Sequence, residues 1–183
     1  MIGVAALGSA VAMAGCCYCP GSTYGVRISP AFTPEQTETI LAALDDWRAH
    51  VPVTFTVSSG TCGDDPQDQL ICIKPDTHAD ITAKAGGAAL ATTTVRTGLD
   101  AEGGTGGFGG IDGGIVLMDP TLAPGTFAQA VAHELGHAMG LRHTSTWGAL
   151  MYPSTAHAGT HVACDDVGQW WSVRGYTNAA GCQ

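Results

Sequence analysis

The segment from His133 to His143, HELGHAMGLRH, constrains the fold of this chain more than any other feature. Residues four apart on an α-helix share a face, so His133 and His137 can direct imidazole nitrogens at one metal ion. Glu134 is turned by about 100° around the helix axis, where its carboxylate can reach a water without becoming a ligand. Gly140 is predicted to end the helix in a left-handed conformation, which brings His143 back as the third ligand.

Three neutral ligands leave a fourth coordination position open, as in catalytic rather than structural zinc sites. Imidazole nitrogens suit zinc among the divalent ions, so the predicted cofactor is one Zn2+. Glu134 is the expected general base, which takes a proton from the attacking water. The alternative is a helix that carries these side chains for solvation or packing. The additional positions of Gly140 and His143 make that alternative the weaker one.

Two motifs downstream extend this pattern. The segment ALMYP contains Met151, Tyr152 and Pro153, and residues 164–169 read CDDVGQ. With the histidine segment, these motifs resemble the metzincin zinc proteases, and among them the matrixins, over residues 124–176. The resemblance implies that Met151 supports the metal site from below and that Tyr152 and Pro153 border a substrate pocket. Without it, Met151 is a core methionine and its two neighbours are turn residues.

Strand-like segments occupy much of the first half of the chain. They alternate in hydrophobicity or are rich in β-branched residues. They are residues 23–29, 53–57, 70–73, 88–95 and 115–118, of which 88–95 is predicted to be an edge strand or an extended loop. A first helix is predicted between Thr33, which forms a capping box with Gln36, and Pro52.

Two further helices are predicted in the second half. One carries His133 and His137, begins in the segment from Pro124 to Thr126 with a capping-box arrangement of Thr126 and Gln129, and runs to about Leu141. The other begins at a cap on Asp165 and runs through Arg174. This order of elements indicates an α+β fold. The resemblance implies a zincin-like form of it, in which a twisted mixed sheet, an active-site helix and a C-terminal helix surround a zinc cleft. An extended substrate is expected to pair with the edge strand.

Composition narrows the range of functions. The chain has 183 residues, enough for one domain with its own core, which we place at residues 23–183. Its formal net charge is −9, and its 7 Lys and Arg residues form no cluster. A chain with this charge is repelled by phosphate backbones and by anionic lipid surfaces, so nucleic acid is not an expected partner. Protein or peptide substrates and a monomeric state are expected.

The N-terminal segment has the features of an export signal. Residues 1–15 are apolar and rich in small side chains, but too short to span a bilayer as a helix. The end of this segment resembles a bacterial lipobox before Cys16. Residues 16–22 would then form a short tether. The alternatives are lipid anchoring through Cys16 at the cell envelope, simple secretion, and an apolar N-terminus without a targeting role. This lipid is the only membrane contact expected.

The chain has seven cysteines, and an odd number leaves one thiol unpaired in an exported protein. Lipid on Cys16 would leave six for disulfides. Cys62 and Cys72 flank a short polar turn and are predicted to pair. Cys164 and Cys182 bracket the C-terminal segment and form the second predicted pair. A reduced cytosolic protein is the alternative.

Two weaker patterns concern other metals. Asp100, Glu102 and Asp112 lie in or beside a glycine-rich loop that resembles in position the calcium-binding loop of matrixins. A Ca2+ ion there and a flexible solvated loop remain alternatives. The segment from His78 to Asp80 resembles the start of a second zinc site, but no further histidine follows before His133. We predict a surface turn there.

Two functions compete with that of a zinc endopeptidase. One is a non-catalytic binding module that retains the metal for its shape. Glu134 argues against it, because a structural site needs no such carboxylate. The other is a zinc amidase that acts on a cell-wall peptide, which the sequence does not distinguish from a protease.

Overall fold

The computed structural model describes residues 22–65, 69–86, 89–95 and 113–174. Its helices and strands are, in chain order, β1 (Ser22–Ile28), α1 (Pro34–His50), β2 (Val53–Ser59), β3 (Leu70–Pro75), α2 (His78–Ala85), β4 (Ala91–Val95), β5 (Gly113–Met118), α3 (Pro124–Ala138) and α4 (Cys164–Ser172). The predicted α+β class is therefore confirmed. No helix within these ranges has both the length and the apolar character needed to cross a bilayer.

The strands form one mixed sheet in the order β2-β1-β3-β5-β4. The first four strands of this order are mutually parallel, whereas β4 runs antiparallel to β5 and lies at the edge. The predicted edge strand is thus present. Every residue of β5 is buried, as is usual for a strand covered on both faces.

The two faces of the sheet pack against different helices. On one face, Ile71 and Val116 join the large core that α1 and α3 complete. On the other, Cys72 and Ile115 form a small cluster with Ile81 of α2. Alternation along β3 and β5 therefore divides the core in two, because neighbouring side chains of a strand point to opposite faces.

Helix α1 begins and ends where the sequence indicates. Thr33 Oγ1 accepts from Gln36 N at 3.2 Å, and Gln36 Oε1 accepts from Thr33 N at 3.0 Å. Ile40, Leu44 and Trp47 on one side of this helix are fully buried, and Trp47 Nε1 donates to Ala132 O of α3 at 2.9 Å. This bond joins α1 to the helix that carries the histidines.

The helix start predicted at residues 124–126 is present in α3, but its predicted capping box is not. The helix begins at Pro124, whose fixed φ and missing N–H suit a first helical position, and Thr126 forms no capping box with Gln129. Instead, Gln129 Nε2 donates to three carbonyls of the loop beyond Met151, at 2.9–3.2 Å. Because Thr126 lies inside the helix, its hydroxyl is not placed to cap it.

The predicted end of α3 is three residues too late, since the helix ends at Ala138. Gly140 has φ +93°, so this residue takes the left-handed conformation that the sequence predicts. Gly140 N donates to His137 O and Leu141 N donates to Gly136 O, each at 2.9 Å. These two bonds are those of a Schellman motif, which ends the helix before Leu141.

Two further local predictions are wrong. Helix α4 begins at Cys164, and Asp166 rather than Asp165 accepts from Ala163 N, at 2.8 Å. The segment from His78 is not a surface turn but the start of α2, which Thr77 caps by accepting from Asp80 N at 3.1 Å. In both places a polar side chain satisfies a free N–H group at a helix start.

The predicted disulfide between Cys62 and Cys72 is present. Cys164 is exposed and forms no disulfide within the described ranges, while Cys182 lies outside them, so that pairing stays a prediction. The three carboxylates of the calcium hypothesis and the N-terminal residues 1–21 also lie outside the described residues.

The first and last described residues meet. Arg174 Nε donates to Ser22 Oγ at 3.0 Å, and the same guanidinium donates to Tyr24 Oη at 2.8 Å. It also lies over the ring of Trp170, 3.9 Å from the ring centroid. The end of α4 is thereby fixed to the start of β1.

Candidate metal centre

The structure brings the three predicted ligands together. His133 and His137 lie one turn apart on α3, and the turn at Gly140 returns His143 to the same place. The Nε2 atom of His143 is 3.2 Å from that of His133 and 3.2 Å from that of His137. Nitrogens bound tetrahedrally to zinc at 2.0–2.1 Å lie about 3.3 Å apart. The arrangement therefore fits one zinc ion.

Backbone carbonyls orient two of these rings. His133 Nδ1 lies 2.7 Å from Leu150 O, and His137 Nδ1 lies 2.9 Å from Leu141 O. A carbonyl oxygen only accepts, so each Nδ1 carries the proton and each Nε2 keeps a free lone pair. Such outer hydrogen bonds fix the tautomer that a metal requires.

Burial keeps these two rings neutral. Desolvation lowers the pKa of His133 to about 4, with a further contribution from the charge of His137. Desolvation likewise lowers the pKa of His137 to about 4. Both are therefore neutral, and able to ligate, near pH 7. His143 is exposed and closes the group from the solvent side.

Glu134 is buried beside the ligands, with 8% of its surface exposed. Its Oε2 accepts from Thr93 Oγ1 of β4 at 2.5 Å, and its backbone oxygen is 3.2 Å from the same hydroxyl. Desolvation raises the pKa of this carboxyl group, against the opposing effects of His133 and of the Thr93 hydrogen bond. A carboxylate with a raised pKa is a better proton acceptor near neutral pH.

Met151 lies fully buried beneath this part of α3. A Cβ atom at Gly136, between the two helical histidines, would overlap Met151 Sδ and would also contact Trp47. Gly136 is therefore needed for close packing on residues 149–153, the turn that contains Met151. Because Leu150 orients His133, the position of this turn also determines the orientation of that ligand.

Helix α4 holds the same turn from the other side. The carboxylate of Asp166, which is fully buried, accepts from Leu150 N and Met151 N, each at 3.0 Å. Gln169 Oε1 accepts from Arg142 N, next to the third ligand. Sequence reasoning missed both roles. The acidic pair at the start of α4 was visible, but nothing local favours Asp166 over Asp165.

The predicted pocket residues, Tyr152 and Pro153, lie on the loop that follows Met151. Tyr152 is half-buried and Pro153 is exposed. The ring of Tyr152 lies 6.0 Å from that of Trp147 and 6.2 Å from that of His157, between centroids, and Trp147 packs on His157 at 3.9 Å. Trp147 is 68% exposed. The loop that follows the third ligand in sequence thus presents an exposed aromatic surface.

The family comparison matches the part of the chain that contains these site residues. The family model described as Matrixin, peptidase M10, matches residues 118–173. Stromelysin-1 of Rattus norvegicus is 32% identical over 130 residues, which is 68% of this chain. This chain is a matrixin-like metzincin.

A second relative is the interstitial collagenase of Aquarana catesbeiana, with 44% identity to this metzincin over 39 residues, or 21% of the chain. The matches span only 10% of the collagenase and 25% of the stromelysin. Among solved structures, high choriolytic enzyme 1, a hatching enzyme zinc-protease of Oryzias latipes, has 16% identity and a TM-score of 0.39. That match covers 66% of this chain and 44% of the other. Myroilysin has 13% identity and a TM-score of 0.40, with 88% and 66% covered.

The part of the metzincin that matches the family model contains the three histidines, Glu134 and Asp166. Thr93, which contacts Glu134, lies outside it.

Proposed function

We propose that this matrixin-like metzincin is a zinc-dependent endopeptidase and that Glu134 is its general base. The observation that carries the proposal is the convergence of three imidazole nitrogens, with His143 Nε2 3.2 Å from each of the other two, beside a buried carboxylate that is not among them. In a site that served only shape, this carboxylate would be a buried charge without a purpose.

Zinc, when bound by the three histidines, supplies the positive charge that polarises the scissile carbonyl and makes a nearby water more acidic. Glu134 accepts a proton from that water as the water oxygen bonds to the carbonyl carbon. It then donates the proton to the peptide nitrogen as the C–N bond breaks. The products are one carboxyl group and one amine.

The other site residues act on this chemistry indirectly. Gly140 returns the third ligand to the centre, and Met151 supports α3 from below. Tyr152 and Pro153 would border the pocket for the residue after the cut bond. An extended protein or peptide substrate would pair with the outer side of β4, which bonds only to β5 among the described strands.

We also propose export, on the basis of residues 1–15 alone, followed by secretion or lipid attachment at Cys16. Treatment of the expressing cells with an inhibitor of lipoprotein signal cleavage would distinguish the two outcomes, because only the lipidated form would accumulate uncleaved.

The decisive measurement is zinc content and casein cleavage for the wild type and Glu134→Ala. We expect about one zinc per chain in both proteins, cleavage by the wild type, and loss of cleavage in the variant. Glu38→Ala is a matched control, because Glu38 is exposed on α1 away from the histidines. It should cleave as the wild type does.

Failure would point to one of the other functions. Zinc binding without cleavage of casein or of a broad peptide set would favour the binding module. Release of amide-linked peptides from cell wall, with casein left intact, would favour the amidase.

A further inference from the structure

We propose that Thr93 is a positioning residue for Glu134, an inference that rests on the proposed function. The two residues come from elements far apart in the chain, the edge strand β4 and the histidine helix α3. The Thr93 hydroxyl is 2.5 Å from Glu134 Oε2 and 3.2 Å from Glu134 O. Both side chains are buried, each with 8% of its surface exposed.

The hydroxyl holds one of the two carboxylate oxygens. Thr93 has a single O–H proton, and the shorter of its two contacts is the one to Oε2. Within the described ranges, no other side chain hydrogen-bonds to this carboxylate. Glu134 Oε1 therefore keeps its lone pairs for a water or for the peptide nitrogen.

The position of Thr93 on the strand gives this bond its significance. Side chains alternate along β4, so Thr93 points at α3, while its neighbours in sequence point to the other face. The outer side of the same strand is where we propose that substrate binds. Thr93 thus links the strand that receives the substrate to the carboxylate that moves its proton, without touching the substrate itself.

The first test compares Thr93→Val, which keeps the shape but removes the hydroxyl, with Thr93→Ser, which keeps the hydroxyl. We expect Thr93→Val to lower kcat about 10-fold or more, with KM within about 2-fold of the wild-type value. Thr93→Ser should restore most of kcat. Should Thr93→Val not fold, Thr93→Ala gives the same comparison with the serine variant.

The chain contains a matched control for the loss of a hydroxyl. Thr82 Oγ1 in α2 is buried and has no hydrogen-bond partner among the described residues. Thr82→Val makes the same chemical change without breaking a hydrogen bond, so kcat and zinc content should not change.

A second test requires neither zinc nor activity. Urea midpoints in excess chelator are measured for the wild type, Thr93→Val, Glu134→Ala and the double variant. We expect the two losses to be non-additive, because either change alone breaks the same contact. All zinc-loaded variants should hold about one zinc per chain, since none of them alters a ligand.

Three results would overturn the role of Thr93. They are wild-type kcat in Thr93→Val, an equal loss of kcat in Thr93→Ser, and additive urea midpoints. A wild-type protein that holds zinc but cleaves nothing would overturn the proposed function, and the positioning role with it. An active wild type with an equally active Thr93→Val would overturn the positioning role alone.

Discussion

His133, His137 and Glu134 lie close together on α3 but are held in different ways. His133 and His137 are oriented by main-chain carbonyls, whereas the Glu134 carboxylate is held by a side chain 41 residues away. A single substitution removes a hydroxyl but not a main-chain carbonyl. Unless a ligand itself is replaced, the orientation of the two histidines should therefore change only when the segment that carries Leu150 O or Leu141 O moves. The orientation of the Glu134 carboxylate, by contrast, depends on the side chain of Thr93.

The largest effect is expected at Asp166, whose side chain holds the turn that carries Leu150 O. Asp166→Ala removes the acceptor of Leu150 N and Met151 N and leaves both donors buried. We expect a loss of about 3 kcal/mol or more in the free energy of unfolding. We also expect weaker zinc binding, because Leu150 O would shift away from His133. Urea unfolding and competition with a chelator measure the two effects.

Asp165→Ala is the control for that change, since Asp165 is the exposed neighbour in the same helix turn. Its unfolding free energy should lie within about 0.5 kcal/mol of the wild type, apart from a small helix-dipole contribution. Equal losses in the two variants would mean that the acidic pair acts through charge rather than through the buried bonds of Asp166.

A smaller effect is expected from below the helix. Gly136→Ala would push Met151 Sδ out of its place, at a cost of about 1–3 kcal/mol in unfolding free energy. Gly125→Ala is the matched control, because the same helix has open space at that position. It should be neutral or slightly stabilising, since alanine favours a helix by about 1 kcal/mol over glycine. Thermal or urea unfolding would measure the stability of both variants. Equal stability would show that Met151 can move aside without cost.

The most gradual effect concerns pH. In zinc-free protein, the pKa values of His133 and His137 are about 4, against an ordinary value of 6.5. Between these values the unfolded chain binds protons that the folded chain does not, so stability should fall as the pH drops from 6.5 to 4. The raised pKa of Glu134 acts in the opposite sense, and Glu134→Gln removes it from the measurement.

The experiment is therefore a series of urea midpoints for Glu134→Gln in excess chelator. Adding His137→Leu should flatten the curve, because one of the two groups no longer titrates. A curve that is unchanged by that substitution would show that other groups cause the pH dependence.

The site features that could be predicted from the sequence differ from those that could not in a similar way. The ligands and the turn at Gly140 could be predicted because four-residue spacing and a left-handed glycine are local properties. Asp166 and Thr93 could not be assigned their roles, since each acts through a contact that only the folded chain creates. Thr93 was visible merely as a β-branched residue in a strand-like segment.

Errors at the helix ends have a related cause. The spacing of apolar residues continues through Leu141, but two hydrogen bonds around Gly140 end α3 at Ala138. A plausible capping box at Thr126 and Gln129 did not form, because the glutamine side chain is used by a distant loop. Tertiary contacts overrode the local preference in the second case, and backbone geometry did so in the first.

The contact between Arg174 and Ser22 also has a topological consequence. It makes the described part of the chain nearly circular, because the two ends are separated by little more than the length of one arginine side chain. A linker of about four residues would join residue 174 to residue 22. New ends could then be opened in an exposed turn on the side of the sheet away from the histidines, and the metal-binding half would remain one continuous segment.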